Sequence, residues 1–138
     1  HPGGQLGRRL TLTVADLMHG GKEHPAVREN ASPVKMLSEL SSKHLGAVNV
    51  VDSKGRFLGL ITDFDLRRLL ERGDDLRKAD LRKLMTRRAT TILPGAMAVD
   101  AVEAMVSRKK PFAVLPVVDK AGRAVGMIHL HDLRRSGL

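Results

Sequence analysis

The 138-residue sequence has no cysteine, tryptophan or tyrosine, and only three phenylalanines. Without thiols, neither a disulfide framework nor a thiolate metal site can form. Without aromatic faces, the stacking platforms that grip single strands or RNA loops are nearly missing. Apolar runs such as "FAVLPVV" are far too short to span a bilayer. The N-terminus lacks the charged segment and apolar stretch of a secretory signal. There is no Ser–His–Asp set, no P-loop and no Gly-rich dinucleotide loop after a strand. These absences argue against a nucleic-acid partner, a membrane partner and an enzyme, and lead to the expectation of a soluble cytoplasmic domain.

What is present is positive charge. Lys and Arg number 24 against 15 Asp and Glu, a net charge of +9, which favours anionic partners. The basic residues come as scattered pairs (Arg8–Arg9, Arg67–Arg68, Arg87–Arg88, Arg134–Arg135) and not as one tract. A solvated basic face and a site for a small phosphate-bearing ligand both remain open. An apolar fraction of 42% is ordinary for a globular chain, so one core, or two halves sharing one, is expected.

Internal repetition decides the architecture. Shifted by 67 residues, "VVDSKGRFLGLITDFDLRR" (50–68) falls on "VVDKAGRAVGMIHLHDLRR" (117–135) with 11 of 19 positions identical. The same shift sets "VADLM" (14–18) on "LRKLM" (81–85), and a shift of 65 sets "VKMLSEL" (34–40) on "VDAVEAM" (99–105). Two copies of one supersecondary unit follow. Val34, Leu37 and Leu40, like Val99, Val102, Met105 and Val106, recur at helical spacing. Ser32 before Pro33 is a helix start. "GAVNVVD" and "FAVLPVVD" suit buried strands, and "DSKGR" and "DKAGR" are turns whose Gly needs a positive φ. Helices over "DFDLRRLLERG" and "LHDLRRSG" should end near Gly73 and Gly137. Each unit then reads as short helix, strand, helix, strand, return strand, helix, with "DDLRKAD" (74–80) a charged linker.

A paired unit closing on Gly–apolar–apolar–Thr–x–x–Asp–Leu resembles a tandem of CBS domains (named for cystathionine β-synthase), over Val14 to Arg135. The stretches "HPGGQLGRRL", "VADLMHGG", "LGLITDFDLRRLLERG" and "HLHDLRRSGL" are similar to the C-terminal half of arabinose-5-phosphate isomerases. In that family a sugar-isomerase (SIS) domain precedes the CBS pair and the enzyme feeds synthesis of the lipopolysaccharide sugar Kdo. The resemblance implies an α/β (α+β) fold of two pseudo-two-fold-related repeats, each a small three-stranded sheet packed with two helices. It divides the chain into a remnant of the SIS domain (1–13) and repeats at 14–75 and 76–138. It also implies two clefts for nucleotides and association into a dimer.

The repeated motif has chemistry of its own. A strand ending in Thr62 or His129 and turning into a helix presents that side chain where unpaired amides and the helix dipole suit an anion. The Thr62 hydroxyl can donate to a phosphate, and Asp65 or Asp132, one turn on, can accept from sugar hydroxyls. The bland alternative is that Asp and Thr here only cap the helix. Recurrence of Asp65 as Asp132, while Asp63 does not recur, favours ligand contact. Met18, His19, Met85, Thr86, Phe112 and His131 complete the expected contacts. His129 and His131 beside Asp132 raise the idea of a cation site, but residues 131 and 132 are neighbours and hard to aim at one ion. Phe64 stands where the resembling enzymes carry Gly, and can stack on a base, pack on a partner or obstruct the first cleft.

His1 opens "HPGG", which resembles the end of the isomerase domain, where a His is implicated in catalysis; here it would be severed from its site. No cofactor is expected. Two functions follow from the resemblance. One is a regulatory module sensing an anionic nucleotide or sugar nucleotide, such as CMP-Kdo or an adenine nucleotide. The other is a structural dimerisation module with no physiological ligand.

Overall fold

The β-branched runs at 47–51 and 114–118 become strands, and around them each repeat builds a sheet. The computed structural model describes residues 2–138, with side chains described from Gly7 onward; the proposed severed residue His1 lies outside the described residues. Helix α1 (Pro2–Thr11) comes first. The first repeat carries α2 (Val14–Leu17), β1 (His19–Gly20), β2 (Ala26–Arg28), α3 (Pro33–Lys43), β3 (Ala47–Val51), β4 (Phe57–Thr62) and α4 (Asp63–Glu71). The second carries α5 (Leu81–Leu84), α6 (Ala98–Val106), β5 (Val114–Val118), β6 (Ala124–His129) and α7 (Leu130–Arg135).

Local chemistry places these elements where the sequence implies. Ser32 caps α3 by accepting from the Lys35 N–H at 3.1 Å, and Pro33 opens the helix. In the hairpin turns Gly55 and Gly122 take φ of 79° and 87°, and Asp52 and Asp119 accept from the turn amides. Helix α4 ends with Gly73 at φ 83°, where the Asp74 N–H reaches back to the Leu69 carbonyl, and α7 ends likewise at Gly137.

The two sheets have orders β2-β3-β4 and β1-β6-β5, so β1, from the first repeat, belongs to the second repeat's sheet. The exchange is reciprocal. Thr86, just after α5, bridges to Leu60 of β4 through two backbone hydrogen bonds of 2.8 and 3.0 Å. The cores exchange in the same way. Val27, Met36, Val48, Val50, Ile61 and Leu66 pack with Leu81 and Met85 from α5, whereas Val14 from α2 packs with Ala98, Ala101, Met105, Leu115, Val117, Ile128 and Leu133. Burying each of these exchanged side chains contributes about 1.5–3 kcal/mol, which holds each leading helix on the other repeat. The two hairpin turns also meet, with Phe57 donating to the Gly122 carbonyl and Ala124 to that of Gly55 at 2.9 and 3.0 Å. The pseudo-two-fold axis runs between them.

In the leading segment Pro2–Thr11 is helical, and Leu12 packs on the second core. Two expectations are corrected. The charged "linker" 74–80 folds as a 3-10 turn at Leu76–Lys78, because Leu76 has the first core to pack against. The strands of the second repeat that correspond to β1 and β2 shrink to single bridges, Leu60–Thr86 and Ile92–Val117. Among the described residues, no helix is long and apolar enough to cross a membrane.

Candidate ligand cleft

Glycine makes the exchange possible. A Cβ on Gly59 would lie 2.8 Å from Cγ and Sδ of Met85, and one on Gly126 would lie 2.8 Å from the His19 carbonyl oxygen and Met18 Sδ. Only glycine lets the exchanged segments lie this close to β4 and β6. Met85 is therefore buried in the first core and Met18 half-buried against the second. These two expected contacts act as packing that sets down Thr86 and His19.

Thr86 arrives at a cavity of about 750 Å³ between the repeats. Of the residues singled out from the sequence, Thr62, Asp63, Phe64, Asp65, Thr86, Phe112 and His129 line it. Met18, His19, Met85, His131 and Asp132 do not. The walls add the turn His44–Gly46, the edge Arg88–Thr90 and the segment Pro111–Leu115. Sequence reasoning missed Arg88 and His44. Arg88 was legible only as half of a basic pair, and His44 takes the left-handed conformation (φ 60°) that closes α3.

Helix α4 starts in this cavity. Thr62 and Asp65 form a capping box: the Thr62 hydroxyl oxygen accepts from the Asp65 N–H at 3.3 Å, and Asp65 Oδ2 accepts from the Thr62 N–H at 2.9 Å and from its hydroxyl at 3.1 Å. The Thr62 hydroxyl, which the sequence offers to a phosphate, here donates to Asp65 while Thr62 remains on the cavity wall. The Asp63 N–H donates to the Gly46 carbonyl. Among the described residues, the Phe64 N–H and Asp65 Oδ1 of this first turn make no hydrogen bond, and the Asp63 carboxylate, also on the cavity wall, meets only Arg67 at 3.8 Å. Phe64 is part of the cavity wall and 56% exposed, with the Arg68 guanidinium 5.7 Å over the ring. Across the cavity Phe112 is covered by the Arg108 guanidinium at 4.1 Å, a cation–π contact that fixes the ring.

The second motif behaves differently. His129 Nδ1 accepts from the His131 N–H at 2.9 Å, so its proton sits on Nε2. Burial pushes the His129 pKa below its ordinary value, against an upward pull from Asp132, so the ring is neutral and not a cation waiting for an anion. Asp132, left without a capping partner, accepts from His19 Nε2 at 2.6 Å and from Arg135 at 3.0 Å. Behind the clefts, Asn49 is fully buried and joins the sheets by donating to the Gly126 carbonyl (3.0 Å) and to His24 Nε2 (2.8 Å). Burial lowers the His24 pKa, keeping Nε2 free to accept.

Comparison with known proteins agrees with this layout. The CBS domain profile matches residues 14–72 and again 80–138. Across all 138 residues the chain is 41% identical to the arabinose 5-phosphate isomerases KdsD of Yersinia pestis and of Pseudomonas aeruginosa, covering 41% and 42% of them. It thus spans about two-fifths of the length of the curated relatives it matches. The crystal structure of CBSX2 from Arabidopsis thaliana in complex with AMP aligns with a TM-score of 0.76 at 24% identity, over 91% of this chain and 95% of that one. With two profile matches and two reciprocally packed sheets, the chain belongs to the CBS-domain family as a tandem pair.

Proposed function

We propose that this chain is the regulatory module of an arabinose-5-phosphate isomerase and binds an anionic nucleotide or sugar nucleotide in the cleft at the start of α4. The observation that carries the proposal is the cavity of about 750 Å³, which puts Arg88, Thr86 and the first turn of α4 around a space of ligand size. The free Asp65 Oδ1 offers an acceptor to a ribose hydroxyl, while the Phe64 N–H, the helix dipole and Arg88 favour an acidic group. The AMP in the CBSX2 structure supports the ligand class, and the KdsD relatives support the setting. CMP-Kdo, as the activated end product of the Kdo route, fits as a feedback signal; AMP and ATP are the alternatives. The chemistry of isomerisation belongs to a preceding SIS domain.

Thermal denaturation of the chain with AMP, ATP, CMP and CMP-Kdo tests this. At a hundredfold excess over Kd, a true ligand adds about 2.7 kcal/mol of stability. No shift with any of the four sinks the sensing role. A second reading, an assembly module without a physiological ligand, draws on the apolar residues left bare on the first repeat: Val34, Phe64 and Leu70 are 66%, 56% and 55% exposed.

A further inference from the structure

The 67-residue repeat equates three positions of the two clefts: Thr62 with His129, Asp65 with Asp132, and Thr86 with His19. Both threonines of the first motif are thus histidines in the second, with His129 itself also on the wall of the first cleft, and the paired change has a geometric consequence. In the first cleft the short Thr62 side chain stays on its own helix cap and keeps Asp65 Oδ2 there, leaving Oδ1 unengaged among the described residues. Thr86 is too short to reach across and remains on the cavity wall. In the second, the His129 ring caps the next amide but one and neither bonds the Asp132 N–H nor receives its carboxylate. His19 then spans from β1 to α7 and takes Oδ2 of Asp132, while Arg135 takes Oδ1. Both oxygens are engaged, and the Asp132 side chain is only 13% exposed.

We infer that the chain holds a single ligand, in the Thr62–Asp65 cleft, and that the pseudo-symmetric cleft is shut from within by His19, which takes the place on Asp132 that a ligand hydroxyl would need. The inference rests on the nucleotide-type reading of the first cleft. The closed cleft serves as a clasp: it fastens β1, and with it the leading segment α1–α2, to the helix that ends the second repeat. The two halves of the chain therefore divide the labour, one cleft sensing and one tethering.

Titration calorimetry on the full chain with AMP and with CMP as probes reads the number of sites. Wild type should take one ligand per chain. Asp65→Ala should weaken it at least tenfold, and Asp132→Ala should leave it within about twofold. His19→Thr, which reproduces the first cleft, should raise the count to two, whereas His19→Gln, whose amide still donates to Asp132, should keep it at one. Two sites in wild type, loss of binding in Asp132→Ala, or an unchanged count in His19→Thr overturns the inference. If neither probe binds, the count is taken with ATP and CMP-Kdo; if none of the four binds, the ligand reading itself fails, and the clasp is judged separately. Urea midpoints of His19→Ala, Asp132→Asn and the double variant should then be non-additive, and additive losses would refute the clasp as well.

Discussion

Replacing Gly126 by alanine probes the contact on which the exchanged architecture depends. The new Cβ would sit 2.8 Å from the His19 carbonyl oxygen and 2.8 Å from Met18 Sδ. Methionine can swing aside, but the carbonyl belongs to β1, whose residues His19 and Gly20 pair with Met127 and Gly126. Relief therefore requires β1 to draw back from β6 along its whole length. Overpacking of this kind costs about 1–3 kcal/mol, and alanine returns about 0.5–1 kcal/mol by restricting the unfolded chain. Because the obstructing atom is backbone, a net loss of about 2 kcal/mol is expected. For a chain of this size that lowers Tm by about 5–10 °C. Gly59→Ala should lose less, since the two nearest atoms, at 2.8 Å, belong to the Met85 side chain and the Thr86 oxygen lies at 3.0 Å. Calorimetric melting of both variants, with urea m-values to confirm an unchanged fold, gives the comparison. A Gly126→Ala chain that melts at or above wild type would refute the close-approach argument.

Four further outcomes follow from the geometry. Asp65→Ala removes the capping box as well as the ribose acceptor, so it should cost about 1 kcal/mol of stability and weaken nucleotide binding by about ten- to a hundredfold; Asp63→Ala, which removes a cleft-lining carboxylate that makes no cap and meets Arg67 only at 3.8 Å, should leave stability nearly unchanged. Burial depresses the pKa of His24 and His129 below 6.5, so both stay neutral in the folded chain where the unfolded chain takes up protons. Their contribution is full above about pH 6.5 and is lost as pH falls through that value towards the folded pKa values, so the urea midpoint should drop between pH 7.5 and 5.5 and drop less in His24→Gln. Asn49→Ala leaves the Gly126 carbonyl without its donor and should cost about 1–3 kcal/mol in urea unfolding; a neutral result would mean that this bond does not tie the sheets. If the bare face of α3 and α4 pairs with a second copy, sedimentation should give about 30 kDa, twice the chain mass of 15.1 kDa, and Phe64→Ser with Leu70→Ser should return it to one chain.

Sequence alone determined what depends on near neighbours. The duplicated 19-residue block announces two like units, Ser32–Pro33 starts a helix, and the glycines at 55, 73, 122 and 137 stand where the backbone needs positive φ. Such signals act within a few residues, so a linear reading reaches them. The resemblance to CBS pairs came from the same block and is matched by the profile at 14–72 and 80–138. Tertiary structure decided which repeat each leading segment serves, because Leu81 and Met85 read equally well as the start of their own unit or as the missing wall of the other. It also decided the fate of the recurring aspartates. Asp65 and Asp132 look equivalent in sequence, yet one is held by its own Thr62 and the other by His19, 113 residues away. That distinction depends on the reach of a side chain across a fold in which residues far apart in sequence are brought to hydrogen-bond distance, and no local pattern of residues records it.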